Sequence, residues 1–587
     1  MQPTMISGVR ADFDVSATMR DGVVLRANVF SPDDGGTGRY PVLLMRLPYG
    51  KDFPLGSSLM NPAQVARRGY IVVVQDVRGT FTSEGEFDPM RNEGADGADT
   101  VEWAAQLPGA NGSVGMFGGS YMGFTQWAAA REAPAALKAM VPLITWADPN
   151  EGVFSRNGVF ELGLEGAWLL QRGLDVLSRR NRGNPVAQGQ AFHGMAREFD
   201  RLAESGYAEV PLQPFGPLAR LGLDQPATEG LARREDLEFQ DPARVMPAYT
   251  AAPIPMLHIG GWYDIFLNGT IRNFNAMRAE GNADQCLVIG PWSHTSLASN
   301  VGDLDFGVGA GAALIDLQID LVNLHVQFFD RFLKHAANGF EQWPTVKYFM
   351  LGANVWRTSD VWPPATMRLE PWYLHSGGHA NAASGDGLLS REPPANESTD
   401  AYVYDPTNPA PTIGGATLMH PSFRAGALDQ QPVEARDDVL VFTSAPVELP
   451  LSLAGPVTGT LYVATDGPDT DFVARLVDVY PDGRAMTLTD GVTRLRYRDG
   501  LAIPAGPVEA GQVYAISVDL WATAVTFMPG HRLRLDVTSS NFPRWERNPN
   551  TGDDPSLATT WRVARQSLLH DAEHPSCVVL PVLPEIE

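Results

Sequence analysis

Apolar positions fall into three successive textures along this 587-residue chain. In the first, short and almost unbroken apolar runs at 22–30, 41–47 and 70–76 are separated by turns and helix-forming segments. Tyr70-Ile71-Val72-Val73-Val74-Gln75-Asp76 has hardly a polar residue before its end. Continuous β-branched runs of this kind predict strands of a parallel sheet covered on both faces. A mixed segment at 96–106, with Val101, Trp103 and Ala105 among acidic residues, predicts a helix ahead of a further strand ending near Gly118-Gly119. Strand and helix thus alternate up to residue 120, the pattern of an α/β fold.

From about 147 to 244 the texture turns helical. Segments 161–171 and 191–205 read as helices, 211–225 as a loop rich in Pro and Gly, with no strand between them. The α/β texture returns at 255–261 and 286–290, and a long amphipathic helix is predicted over 314–335. After about 356 the chain reads as β, with strands such as 459–464, 472–479 and 532–537 punctuated by Gly, Pro and Asp; this predicts a jelly roll or sandwich. The expected architecture is an α/β fold with a doubly wound, mostly parallel sheet from 1–145 and 246–355. A helical cap is inserted at 146–245, and a β jelly roll spans 356–587.

A net charge of −24 and a pI near 4.8 argue against nucleic acid or an anionic membrane as partner. No segment has the unbroken apolar length of a membrane span, and the first seven residues lack the basic-then-apolar order of a secretory signal; a cytoplasmic protein is expected. Cys286 and Cys577 both sit in apolar runs and read as small buried strand residues, with a disulfide between them left open. The jelly roll offers sheet edges for a homodimer. His375 and His379, and His570 and His574, are spaced four apart, but Gly377-Gly378 and Pro575 speak against metal-binding helices, so these read as surface histidines and no metal or cofactor is expected.

The chemistry centres on Val114-Gly115-Met116-Phe117-Gly118-Gly119-Ser120-Tyr121-Met122-Gly123. Strand, glycine-flanked serine and helix start would lift the Ser120 hydroxyl above the sheet beside free backbone N–H groups, as an acyl-transfer nucleophile requires. An acid and then a histidine should follow at later strand ends. Asp264 comes just after the run ending at Gly260-Gly261, and His294 just after the run ending at Ile289-Gly290. In this reading His294 is the general base, Asp264 orients it, and the Tyr121 N–H is one oxyanion donor. The turn after Leu47 offers the Tyr49 phenol as the second donor, with an aromatic packed on the sheet edge as its alternative. His258, inside an apolar strand, reads as a hydrogen-bonded core residue and a minor rival to His294. Asp76, Arg78 and Glu84 read as a structural ion-pair loop.

These stretches resemble the cocaine esterase family, relatives of X-prolyl dipeptidyl aminopeptidases and α-amino acid ester hydrolases. Besides Gly118–Gly123, the resemblance rests on Leu47-Pro48-Tyr49, Gln75-Asp76-Val77-Arg78-Gly79 with Ser83-Glu84-Gly85-Glu86-Phe87, and Gly261-Trp262-Tyr263-Asp264. It extends to Gly290-Pro291-Trp292-Ser293-His294, Asp482-Gly483-Arg484-Ala485 and Ser539-Ser540-Asn541-Phe542-Pro543. It covers nearly the whole chain and is weakest in the cap. The resemblance implies Ser120, Asp264 and His294 as the triad, Tyr49 and Tyr121 as oxyanion donors, and an aromatic acyl pocket with Phe266, Trp168, Leu418 and Met419. It implies a serine esterase acting on a small-molecule ester through an acyl-enzyme. Amino-ester hydrolases carry acidic residues just after the triad aspartate, where this chain has Ile265-Phe266-Leu267. Peptidase relatives need an acidic anchor for a free N-terminus, and Glu151, Glu161 and Glu165 are read either as such an anchor or as a solvated helix face. The alternatives to an esterase are a dipeptidyl or β-lactam acylase and a non-catalytic binding protein.

Overall fold

A computed structural model describes residues 8–53, 59–501, 503 and 506–584. The N-terminal segment read for a secretory signal lies outside the described residues. The strands of the first domain are, in chain order, β1 (Gly8–Thr18), β2 (Val24–Asp33), β3 (Tyr40–Leu47), β4 (Ile71–Asp76), β5 (Ala110–Gly119) and β6 (Leu137–Leu143). A small hairpin, β7 (Ser155–Arg156) and β8 (Val159–Phe160), precedes β9 (Met256–Tyr263) and β10 (Gln285–Ser293). The short pair β11 (Asn300–Val301) and β12 (Leu304–Asp305) precedes β13 (Val346–Met350) and β14 (Val355–Ser359). One sheet has the order β1-β2-β4-β3-β5-β6-β9-β10-β13-β14, parallel from β4 to β13.

Both faces of this sheet are covered. Val42 and Leu44 of β3 share a core with Val101, Phe124 and Trp127 from helices Glu93–Ala105 and Tyr121–Arg131. Leu43 and Met45 face the other way, into a core with Phe328 and Phe329 of helix Leu321–Leu333. Burial on both sides is why these strands read as unbroken apolar runs. The helix predicted over 314–335 begins only at Leu321. Asp320 caps it, accepting from the Asn323 N–H at 2.8 Å, while Asp316 and Leu317 ahead of it take positive φ values. The sheet ends with β14, which crosses the division expected at 355.

The inserted segment carries helices Leu162–Arg180 and Pro185–Glu204, with shorter ones at Gly216–Ala219, Gln225–Ala232 and Leu237–Gln240. It also carries the β7/β8 hairpin just ahead of the first helix, and no strand lies between the helices, as expected. The rest of the chain is a separate β-rich domain: an eleven-stranded sheet that includes the long antiparallel pair Leu451–Thr465 and Tyr514–Phe527. Backbone bonds join it to the first domain: the Leu351 N–H donates to the Ala524 carbonyl at 2.9 Å, and the Thr526 N–H to the Leu351 carbonyl at 2.8 Å.

The β-rich domain also grips the cap. The Arg156 guanidinium at the hairpin lies 3.7 Å over the Trp521 ring and donates to the Asp490 carbonyl at 2.7 Å. Glu161 accepts from the Trp545 indole at 2.9 Å, and the Gly163 N–H donates to the Arg544 carbonyl at 2.9 Å.

Three smaller expectations are corrected. Asp76 pairs with Lys51, whereas Arg78 pairs with Asp96 and Asp21, and Glu84 accepts the Val24 N–H, so the three do not form one loop. His570 is buried, not at the surface, because its ring is bracketed by Asp400 and Glu397. Both cysteines are free. No described helix is long and apolar enough to cross a membrane.

Candidate active site

Ser120 sits between β5 and helix Tyr121–Arg131 with φ 59° and ψ −125°, a conformation few non-glycine residues hold. The strain is sustained on both sides. The Ser120 N–H donates to the Leu143 carbonyl at 2.9 Å, and its own carbonyl accepts from the Gly123 N–H at 2.9 Å and the Thr145 hydroxyl at 3.0 Å. The glycines have steric reasons. A Cβ on Gly118 would stand 2.5 Å from the Met122 Cβ, and one on Gly123 would stand 2.7 Å from the Thr145 Cβ. The glycine three residues after the serine is therefore what lets the helix start pack against the end of β6.

Asp264 and His294 follow the neighbouring parallel strands β9 and β10, in which Gly260 and Gly261 lie opposite Ile289 and Gly290. Side chains at Gly261 or Gly290 would collide with Trp292, so these glycines let Trp292 fold in beside them and bring the two strand ends together. The His294 Nδ1 is 2.7 Å from the Asp264 Oδ1, and its Nε2 is 2.9 Å from the Ser120 Oγ. The Asp264 carboxylate is fully buried and the His294 side chain nearly so. The edge of the Phe266 ring meets the imidazole, centroids 5.1 Å apart at 86°. This is an unbroken proton relay: a carboxylate orients an imidazole whose other nitrogen can take the serine proton. His258 lies elsewhere, buried in the core and bonded to Gln285 at 2.9 Å; burial pushes its pKa down to about 4.

The relay opens into a narrow cavity of about 30 Å³ lined by Tyr49, Met90, Ser120, Tyr121, Trp146, Val153, Leu164, Glu165, Trp168, Phe266 and Leu418. Tyr49 is half-buried, and its oxygen accepts from the Trp168 indole N–H at 3.1 Å. The Arg172 guanidinium lies 4.3 Å over the Tyr49 ring. Burial raises the pKa of the phenol, so it stays protonated, while Arg172 pulls the other way. The Tyr121 ring stacks on Trp168 at 6.0 Å; its phenol donates to the buried Glu93 carboxylate and accepts the Met90 N–H at 2.9 Å. Burial, opposed by that bond and by Arg46, pushes Glu93 up to about 7.

Of the expected pocket residues, Phe266, Trp168 and Leu418 line the cavity. Met419 does not: it is buried in the cap's own core, near Gly163. Trp146 was missed, although its place just after β6 follows the same strand-end rule that found Asp264 and His294. Met90 and Glu93 had no signal in the sequence. Glu161 and Glu165 are buried, not on a solvated face. Among the described residues no group of three or more His, Cys, Asp or Glu side chains is arranged to hold a metal ion.

The chain is similar to known proteins along nearly its whole length. Residues 21–296 match the X-Pro dipeptidyl-peptidase (S15 family) profile, and residues 338–579 match the X-Pro dipeptidyl-peptidase C-terminal non-catalytic domain. The chain is 36% identical over 576 residues to the cocaine esterase of Rhodococcus sp. (strain MB1 Bresler), covering 97% of this chain and 98% of that protein. Its fold is similar to a solved α-amino acid ester hydrolase, with a TM-score of 0.79 and 26% identity over 98% of this chain and 96% of that one. It is also similar to an aminopeptidase from a marine sediment Thaumarchaeota archaeon, with a TM-score of 0.78 and 26% identity over 100% of this chain and 97% of that one.

Proposed function

Because the chain belongs to the cocaine esterase family of serine hydrolases, within the S15 group, we propose that it cleaves esters with aromatic or short acyl groups through a covalent acyl-enzyme. The observation that carries this reading is the continuous hydrogen-bonded relay from Asp264 through His294 to Ser120. The Ser120 oxygen attacks the acyl carbonyl as its proton passes to the His294 Nε2. Asp264 stabilises the imidazolium through Nδ1–H. The tetrahedral oxyanion takes hydrogen bonds from the Tyr49 phenol and the Tyr121 N–H, the first of its helix and so without an acceptor in that helix. Collapse expels the alcohol, which leaves with the proton from His294. Water, deprotonated by His294, then attacks the acyl-serine and releases the acid.

The acyl preference is supported by the cavity walls, where Trp146, Trp168, Phe266 and Leu418 offer apolar and aromatic surface. The free cysteines support a reducing compartment such as the cytoplasm. The test is intact-protein mass after a fluorophosphonate probe on wild type and Ser120→Ala, with hydrolysis of 4-nitrophenyl acetate and benzoate. One adduct, lost in the variant, with turnover of both esters is expected. Folded protein that gives neither adduct nor turnover overturns the reading. A much higher kcat/KM for a free-amine ester than for its N-acyl form would move the activity to an amino-ester or peptide substrate.

A further inference from the structure

Glu165 stands out in the cavity wall. It lies in the first turn of helix Leu162–Arg180, is only 6% exposed, and its carboxyl makes no hydrogen bond or ion pair among the described residues. The other two acidic residues of this region are engaged: Glu161 with the Trp545 indole and the Arg544 guanidinium, Glu151 with Arg272. An unpartnered carboxyl in an apolar wall is costly, and the cost is smallest when the group is uncharged. Burial first, and the neighbouring Glu161 second, push its pKa up to about 8. At neutral pH Glu165 therefore presents both a hydroxyl donor and a carbonyl acceptor.

Its position is equally specific. Glu165 belongs to the wall of the Ser120 cavity and also to that of a second, water-sized space of about 10 Å³ inside the cap. The second cavity is enclosed by apolar side chains that include Phe160, Leu162, Leu212, Phe215, Leu218 and Leu231. Glu165 thus stands between the aromatic pocket at Ser120 and a small apolar gap behind it. Apart from Ser120 and Tyr49, which are occupied by the relay and the oxyanion, its carboxyl is the polar side-chain group available to the distal end of an acyl group.

Resting on the reading of Ser120 as nucleophile, we propose that Glu165 determines acyl specificity, selecting esters of hydroxylated aromatic acids by hydrogen-bonding the ring hydroxyl. The aromatic walls accept the ring, and the carboxyl meets its substituent. An ammonium group fits less well, because its three N–H donors would find one acceptor group in an otherwise apolar wall and an ion pair would have to be desolvated. A carboxylate substituent would be buried beside Glu165 in a wall whose lining side chains include no Lys or Arg.

The test compares kcat/KM for 4-nitrophenyl esters of the 3- and 4-hydroxybenzoic acids and of benzoic acid, in wild type, Glu165→Gln and Glu165→Leu. The ratio of hydroxylated to plain ester within each protein cancels ring electronics when proteins are compared. For at least one of the two isomers, the ratio should fall at least about tenfold in Glu165→Leu, because a site built to bond a hydroxyl discriminates strongly by it, and stay within about threefold in Glu165→Gln. Glu165→Ala, which removes the side chain standing between the two spaces, should raise hexanoate turnover relative to acetate. Ratios that do not change in the Leu and Ala variants overturn the inference. So does a Glu165-dependent preference for an aminomethyl benzoate that is lost in Glu165→Gln, since that marks an ionised anchor. Fluorophosphonate labelling of each variant establishes that its site is intact. Absence of labelling in wild type would instead overturn the nucleophile reading.

Discussion

Replacing Tyr49 with Phe isolates one hydrogen bond in the transition state. The phenol oxygen already accepts from the Trp168 N–H at 3.1 Å, so its own O–H hydrogen is directed elsewhere, and Ser120 lies in the same cavity. Burial keeps the phenol protonated, and the guanidinium 4.3 Å over its ring polarises it toward donation. Loss of one of two oxyanion donors costs about 10²–10³ in kcat, or about 2.7–4 kcal/mol. The Tyr121 N–H remains, so catalysis should survive at that reduced level. Since the oxyanion exists only beyond the ground state, KM should change little. The variant also leaves the Trp168 indole without its acceptor, a cost of about 1–3 kcal/mol that belongs to stability and is read separately as a lower Tm. The assay is pre-steady-state acylation by 4-nitrophenyl benzoate, with active sites counted by fluorophosphonate titration. A loss in kcat below a few-fold, or a rise in KM at constant kcat, would make Tyr49 a wall residue and refute its role as donor.

Two further predictions concern the same region. Gly123→Ala places a Cβ 2.7 Å from the Thr145 Cβ, so the turn at Ser120 must shift; kcat should fall more than tenfold in protein that still folds, and wild-type kinetics would refute the steric account. Glu165 binds a proton in the folded state up to about pH 8 but only to about 4.5 when unfolded, so between these values it destabilises the fold progressively as pH rises. Relative to Glu165→Gln, whose amide does not titrate, wild-type stability should drop by roughly 1 kcal/mol per pH unit across that window. Parallel Tm profiles from pH 5 to 8 would refute it.

What the sequence made legible were features set by local pattern. Unbroken apolar runs identified the covered parallel sheet, and residues just past strand ends identified Ser120, Asp264 and His294, because a parallel sheet gathers those ends at one edge. Features set by distant partners were not legible. Glu161 reads as a solvated helix residue until Trp545 and Arg544, more than three hundred residues away, close over it. His570 reads as a surface histidine, yet its buried ring lies between Asp400 and Glu397, which are distant in sequence. Met419 and Leu418 carry the same apolar signal, and only the path of the segment decides which one faces the cavity.

The grip of the β-rich domain on the cap has a consequence for how the enzyme comes into being. Ser120, Asp264 and His294 have all been synthesised once residue 294 is added, yet Asp490, Trp521, Arg544 and Trp545, which hold the hairpin and the start of the Glu165 helix, come later. At roughly 5–20 residues per second, the nascent chain carries Ser120, the proposed nucleophile, for tens of seconds before the roof over it can be fastened. The β-rich domain, made after the serine, therefore decides when the pocket beside Ser120 takes its final shape.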